Sequence, residues 1–477
     1  MTRSGGRLQG TVVSGRREAV GFLSIPWVKE RLARSLGAEP FPGTLNLRLE
    51  PGEPLDSWLA LKAAPLGVEL PPGEDGFCAA TLYPVMIEGE EPGVVVLPHV
   101  EGYPDDVVEV VARWSLRDRF GLQDGTTVAV SWGSAAMKDR QLEACLSGAV
   151  ESERGNGLSS YGLVGDLPDF DLAALDTSTR VFGRRLAMPL FVSSMTGGGV
   201  RSGAINRRLA EAAQATGIGM AVGSQRLMLE DPSLAADFRV RTWAPDILLF
   251  ADLGLVHLNY WLTRDHCLRA VEDIQADALM MYINPLHEAL QAQGDLDFTG
   301  LLGKLATLCA DFPYPIVLKE VGSGLPRATL RRIAESGVAG VDVAGRGGTD
   351  WGRVEAVLAG RHAAGPLEEL GTSTADSLVS AVEVMPSDTV VLASGGIRNG
   401  VEVAKALALG ARASGMALPF LRWAMASTEQ VVEGVRRIEK ELRVAMWYAG
   451  AADVAALRGR VGSAMPGVLS SPPSPGD

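Results

Sequence analysis

The stretch from Tyr282 to Asp295 reads YINPLHEALQAQGD and places a histidine, His287, beside an acid, Glu288, just after a short apolar run. Imidazole exchanges protons near neutrality, its unperturbed pKa being ~6.5, so His287 is a candidate general acid or base. It could equally be a hydrogen-bonded loop histidine with no chemistry. Further along, Lys319 lies in LKEVGSG, and glycines recur in AGRGGT (through Gly345 to Thr349), SGGIR (Ser394 to Arg398) and SGMA (Ser414 to Ala417). Glycine lets backbone N–H groups approach a phosphate because no Cβ intervenes, and a following helix turns its N-terminus toward the anion. A lone Gly-Gly is most often a turn, and Lys319 could be an ordinary buried lysine pairing with Asp342. Three glycine-bearing ends in succession favour a phosphate site, with Lys319 as a fixed cation for developing negative charge.

Those residues need elements to hold them, and the carboxy-terminal two-thirds of the chain has a regular rhythm. From about residue 185, eight apolar runs are each followed by a helix-like stretch: MPLFVSSM, GMAVGSQ, DILLFADLG, DALMMYIN, PIVLKEVG, GVDVAGRGG, TVVLASGGI and ASGMALPF. Spacings of mostly about 30 residues predict an α/β fold, a (β/α)8 TIM barrel. Active sites of such barrels lie at the C-terminal strand ends, and phosphate sites in the loops after strands seven and eight. The long gap between the sixth and seventh runs leaves room for an extra loop. Residues 7 to about 130 differ, with short alternating runs broken by Pro and Gly that predict a small β-rich domain. The expected division is therefore a β-rich domain over 1–130, a polar helix and linker over 131–184, the barrel over 185–465 and a disordered tail over 466–477.

Composition excludes several classes. The chain has 477 residues, 47% hydrophobic and 21% charged, which is a globular profile. A formal charge of -13 leaves no surplus basic surface for general nucleic-acid binding. The cysteines Cys78, Cys145, Cys267 and Cys309 contain no CxxC pair, so neither a disulfide framework nor a zinc site is expected. No apolar run reaches the roughly 18 residues of a membrane span, and the start MTRSGGRLQG lacks a signal-peptide core. A cytoplasmic location is expected.

From about Gln141 to Val461 the motifs SMTGGG, MAVGSQR, VLKEVGSG, VDVAGRGGT, GTSTADSL, LASGGIRNGVEVAKALALGA and SGMA follow one another in an order that resembles the type 2 isopentenyl diphosphate isomerases. The resemblance implies an FMN-binding barrel in which Met195, Thr196 and Gly197 lie against the flavin and Ser224 contacts it. It places Lys319 near the pyrimidine end of the ring, and Thr349, Gly395, Gly396, Met416 and Ala417 around the ribityl phosphate. In that family the reduced flavin moves a proton across an allylic system with no net redox change. The substrate strand departs from the family pattern H-x-N-x-x-Q-E: the chain has Tyr282, Asn284, His287 and Glu288. Asn284 and the metal-binding Glu288 remain, so Mg²⁺ is implied, while Tyr282 replaces a histidine and His287 the glutamine held over the reacting carbons. The family's R-K-x-x-H diphosphate clamp appears as Met137, Lys138 and Gln141, and a further family histidine is absent from LVGDLP. Each lost charge-assisted bond removes roughly 1.5–3 kcal/mol.

The amino-terminal segments EPFPGTLNLRL, EGYPDDVVEVVARWSLRDRFGLQDG and GTVVSGRREAVGFLS resemble the CTP-dependent riboflavin kinases over about residues 7 to 130. That likeness implies a cradle-like β-barrel in which Thr44 and Asn46 hold Mg²⁺ and phosphate. It implies a catalytic glutamate in a later helix, where Glu109 falls. The family's G-x-G-E-G nucleotide loop reads Gly15, Arg16, Arg17, Glu18, Ala19, keeping one of three glycines. An FMN-making domain tethered to an FMN-using one raises local cofactor supply, since tethered sites see effective concentrations near mM.

Three readings follow. The first is an FMN-dependent enzyme of the isomerase family with an altered pocket, acting by flavin-assisted proton or hydride transfer on an isoprenoid or similar small, phosphorylated substrate. The second is a genuine isopentenyl diphosphate isomerase that also carries CTP-dependent riboflavin kinase activity. The third is a non-catalytic flavin-binding protein. NADPH as reductant, CTP and riboflavin as ligands of the amino-terminal domain, and a homo-oligomeric state complete the expectations.

Overall fold

The computed structural model describes residues 5–15, 19–63, 67–72, 77–291, 294–361 and 365–463. The tail at 466–477, expected to be disordered, and Arg16, Arg17 and Glu18 of the amino-terminal loop lie outside the described residues. The chain forms two compact units, one comprising Met1–Glu143 with Gly198–Gly203 and the other Ala144–Gly197 with Ala204–Asp477.

In the first unit, the strands are β1 (Gly6–Val13), β2 (Leu45–Arg48), β3 (Val68–Leu70), β4 (Ala80–Ile87), β5 (Glu91–Pro98), β6 (Val107–Ala112) and β7 (Thr127–Trp132). They pair antiparallel in the order β3-β4-β5-β6-β2-β1-β7, and β7 returns to β4, closing a six-stranded barrel with β3 appended. Alternation drives the closure, because successive side chains point to opposite faces. Along β1, Leu8 and Val12 point inward, and Leu45 and Leu47 of β2 meet them in a core with Trp58, Val110 and Val130. Closing the sheet also removes its exposed edges. The alternating-run reading misses the helices Pro26–Leu36 and Glu53–Ala63, whose proline and acidic first turns are start signals.

In the second unit, eight parallel strands close into a barrel among the described residues: Leu190–Val192, Gly219–Ala221, Leu249–Gly254, Ala278–Ile283, Ile316–Glu320, Gly340–Asp342, Val390–Ala393 and Ala413–Met416. They are the eight apolar runs of the sequence, in order. Phe191, Ala221, Phe250, Met280, Val317 and Leu392 fill the interior near the strand starts. A hairpin of Thr179–Val181 and Arg184–Leu186 adds Val181 and Leu186 to the same core, and Phe182 meets Phe250 edge-on. The gap after the sixth strand is not a bare loop. It holds the helices Trp351–Leu358 and Thr374–Val384, because Asp350 and Ser373 each cap a helix start with a side-chain oxygen. No helix among the described residues is long and apolar enough to cross a membrane.

Candidate active site

Lys319 lies in the fifth barrel strand and is 3% exposed. Its ammonium donates to Asp342 Oδ2 at 2.7 Å and to Ser394 Oγ at 3.0 Å, joining the fifth, sixth and seventh strands. Asp342 also accepts the Ser394 backbone N–H at 3.0 Å. A buried charge is tolerable only when paired and hydrogen-bonded, and this triad satisfies both conditions. The pairing with Asp342 is thus real, and it coexists with a position at the strand end that a ligand would face. The next residue, Glu320, turns its Oε2 into the loop, where it accepts the N–H groups of Val321 (2.7 Å), Gly322 (2.8 Å), Ser323 (2.5 Å) and Gly324 (3.1 Å). Burial pushes its carboxyl up to about 7, against those four donors, which favour the ionised form.

The glycine turns after strands six and seven pack backbone against backbone. A Cβ on Gly395 (φ +99°) would sit 2.2 Å from Gly345 O, and one on Gly396 (φ +72°) 2.2 Å from Gly347 O. Asn156 clamps the same turn, donating to Gly396 O at 2.9 Å and to Glu402 Oε1 at 3.0 Å. Thr349 follows directly on the sixth strand's glycines and bridges Glu151. Met416 is buried, and Ala417 stands at the start of the helix Leu418–Ala426 with no side-chain cap. An uncapped helix start leaves N–H donors for an anion. Next round the ring, where strand one pairs with strand eight and strand two follows, Gly223 packs on the Thr196 backbone and donates to Thr196 O at 3.2 Å, while Gly197 admits the Phe238 ring. Met195 is half-buried beside them. Ser224 is half-buried, and its hydroxyl lies at the Tyr282 phenol. Side-chain-free turns and an open helix start suit a phosphorylated, polar-edged ring system, so the residues present fit FMN. Replacing Gly396 by Val should therefore cost at least about ten-fold in FMN affinity, through a clash and a left-handed φ that β-branched residues resist. Flavin absorbance of the purified full chain, and titration with FMN, measure it; stoichiometric FMN in the variant contradicts the assignment.

His287 sits in the helix Pro285–Leu290, which Asn284 starts by accepting the His287 N–H at 2.8 Å. Its Nε2 lies 2.9 Å from Glu355 Oε1, and its ring is 4.6 Å from the Trp351 ring. Glu288 is buried, and its Oε2 accepts the Asp295 N–H at 2.8 Å. His257, also buried, lies 3.4 Å from Asp295 Oδ2, and burial lowers its pKa. Tyr282 is near this group: burial pushes its phenol up to about 12, the Ser224 hydroxyl drawing it back and Asp252 raising it further. No group of three or more His, Cys, Asp or Glu that could hold a metal occurs among the described residues. Sequence reasoning missed His257, Asp295 and Glu355. Only Glu355 left a trace, four residues after Trp351 on one helix face.

The first unit gathers its own predicted residues. Thr44 Oγ1 donates to Asn46 Oδ1 at 3.1 Å, and Asn46 stands opposite Glu109 across β2 and β6. A Cβ on Gly15 would meet Asn46 Nδ2 at 1.8 Å, so the loop start lies on this constellation. Glu109 was expected in a helix and is instead in β6, because the β-branched run VVEVVA suits a pleated strand. Tyr103 lies beside it, its pKa raised by burial and then by the Glu109 charge. Lys138 lies in the helix Gly133–Leu146, in this unit.

Comparison with known proteins agrees with both units. Residues 12–131 match a family model, CTP-dependent riboflavin kinase, whose description reads "Domain of unknown function DUF120"; residues 271–462 match the FMN-dependent dehydrogenase model. An isopentenyl-diphosphate delta-isomerase of Synechococcus sp. is 45% identical over 343 residues, covering 70% of this chain and 95% of that one. The isomerase of Stutzerimonas stutzeri is 47% identical over 299 residues, covering 61% and 86%. Among solved structures, a mandelate oxidase with 3,3-difluoro-2-hydroxy-3-phenylpropionic acid aligns with a TM-score of 0.48 at 21% identity, covering 69% of this chain and 98% of that one. A relative matched over nearly its whole length at this identity leaves one conclusion: the chain belongs to the FMN-dependent type 2 isopentenyl diphosphate isomerase family, with an amino-terminal segment, residues 12–131, that matches the riboflavin kinase model.

Proposed function

We propose that the barrel moves a proton along the carbon skeleton of a small isoprenoid diphosphate, with FMN bound at its mouth and a pocket rebuilt around Tyr282 and His287. The observation that carries this reading is the buried Lys319–Asp342–Ser394 triad beside the interlocked glycine turns of strands six and seven. Bound FMN, once reduced by NADPH, would supply an acid/base position without net redox change. The chain's residues do the rest. Lys319 has two of its three donors engaged by Asp342 and Ser394, so one remains for an electron-rich ring edge. Glu288 would meet Mg²⁺ held mainly by substrate phosphate and water, which such an ion prefers to a protein cage. His287 would hold or release a proton at its ring nitrogen. The test is an assay of the full chain with isopentenyl diphosphate, FMN, Mg²⁺ and NADPH; no conversion to dimethylallyl diphosphate with FMN fully bound counts against the substrate.

For the amino-terminal unit the reading is CTP-dependent phosphorylation of riboflavin, supported by Thr44, Asn46 and Glu109 meeting on neighbouring strands. Incubating the full chain with riboflavin, CTP and Mg²⁺ should yield FMN, and Glu109→Gln should lower that rate by about 10²-fold or more. Absence of product with CTP and with ATP makes the unit structural.

A further inference from the structure

We infer that Asn156, from the segment that precedes the barrel, is a positioning residue of the FMN phosphate site. It holds the strand-seven turn in the shape that receives the phosphate. The inference rests on the assignment of the interlocked glycine turns to that phosphate, and it adds a residue far from them in sequence. Asn156 is 6% exposed and stands 240 residues before Gly396, whose carbonyl it binds.

The side-chain amide is engaged at both ends. Its nitrogen donates to Gly396 O at 2.9 Å and to Glu402 Oε1 at 3.0 Å, and its Oδ1 accepts the Leu158 N–H at 3.0 Å. The Asn156 main chain bears on the strand-six turn as well: a Cβ on Gly347 (φ +126°) would fall 2.4 Å from Asn156 N and Cα. One residue therefore meets one turn with its backbone and the other with its side chain. The Asn156 carbonyl also accepts the Ala375 N–H at 3.0 Å, in the first turn of the helix Thr374–Val384. Thr374, the residue before, donates to Gly395 O at 2.6 Å, so the same helix start grips the strand-seven turn from a second side.

The partners leave one orientation for this amide. A carbonyl and an ionised carboxylate only accept, so the group between Gly396 O and Glu402 must be the NH₂, with its two hydrogens shared between them. Glu402 lies in the first turn of the helix Gly400–Ala408, and its Oε2 accepts the Arg398 N–H at 2.7 Å. A carboxylate beside an anion site repels the anion, the more so in a medium drier than water. Asn156 and the Arg398 N–H take one oxygen each, which holds that charge toward the protein. The phosphate is then left to the glycine part of the turn, where backbone N–H groups can converge on an anion. Removing the amide leaves Gly396 O and Glu402 Oε1 unmatched, and a partner lost from a part-buried bond costs more than the bond itself contributed. The turn that relaxes is the one holding Gly395 and Gly396 at φ +99° and +72°.

The test uses the full chain freed of flavin, without CTP or Mg²⁺, so that riboflavin is not phosphorylated. Equilibrium dialysis gives the Kd of FMN. Displacement of FMN gives that of riboflavin, which has the same ring and ribityl chain and no phosphate. Flavin taken up by the first unit is common to wild type and variants, so the differences report the barrel. Asn156→Ala should raise the FMN Kd about ten-fold or more and leave the riboflavin Kd within about two-fold. Asn156→Asp should weaken FMN further, because it sets two carboxylates face to face. Adding Glu402→Gln to Asn156→Asp restores an amide–carboxylate pair in reverse order at the wild-type net charge, and should recover part of the FMN affinity. Unchanged FMN affinity in Asn156→Ala overturns the inference, as does a double variant that binds FMN no tighter than Asn156→Asp. An equal loss of FMN and riboflavin also sinks it, since Asn156 would then support the barrel as a whole. A wild type that binds riboflavin as tightly as FMN removes the phosphate assignment of the turns, and this inference with it.

Discussion

His287→Gln lowers turnover by about 10²- to 10⁴-fold while FMN remains bound, which is the range a positioned proton-exchange group contributes. The substitution keeps the side chain near the same length and retains a hydrogen-bonding group toward Glu355, so packing against Trp351 is largely preserved. What it removes is the ability to carry a proton. The pH–rate profile of the variant should accordingly lack a limb that the wild type shows. Glu288→Gln provides the contrast: it should raise the substrate and metal requirement, placing the two variants on different kinetic axes. A His287→Gln enzyme with wild-type rate and an unchanged pH profile ends the idea. Gain of ordinary isopentenyl diphosphate isomerisation in the variant would recast His287 as a specificity residue.

Lys319→Met destabilises the barrel by about 3–5 kcal/mol, because it leaves the Asp342 carboxylate buried with no cation. Asp342 is 0% exposed, so water cannot replace the lost ammonium. The Ser394 bonds at 2.8 and 2.9 Å remain, and they are neutral donors. Adding Asp342→Asn removes the orphaned charge while an amide oxygen still accepts from Ser394, so the double variant should regain much of the stability. FMN affinity and turnover should stay low in both variants, since each lacks the cation. Urea unfolding of the FMN-free proteins separates the two effects. A single variant as stable as the wild type would mean that the triad is not the strut its geometry indicates.

Much of the fold was legible because it is written in local periodicity. Eight apolar runs, each ending in residues such as Lys319 in LKEVGSG or Gly395 and Gly396 in SGGIR, announce strands whose C-terminal ends share one mouth. Alternation in β1 and β2 likewise announces a closed antiparallel sheet with Leu45 and Leu47 inside and Asn46 outside. Where competing signals overlapped, local reading slipped. Glu109 sits in a β-branched run and follows the strand, whatever its role, and the gap after the sixth strand carries the cap residues Asp350 and Ser373 that make helices of it.

Partnerships at the mouth depended on closure. Lys319 meets partners 23 and 75 residues away, and His287 meets Glu355 across 68, distances at which no periodicity carries information. Gly395 and Gly396 gain a second reason for lacking side chains once the sixth and seventh turns interlock, because a Cβ would strike another backbone before it reached any phosphate. Residue type thus set which chemistry was possible at each strand end. The closing of eight strands into one ring decided which of those groups touch, and so made His287 one half of a pair with Glu355.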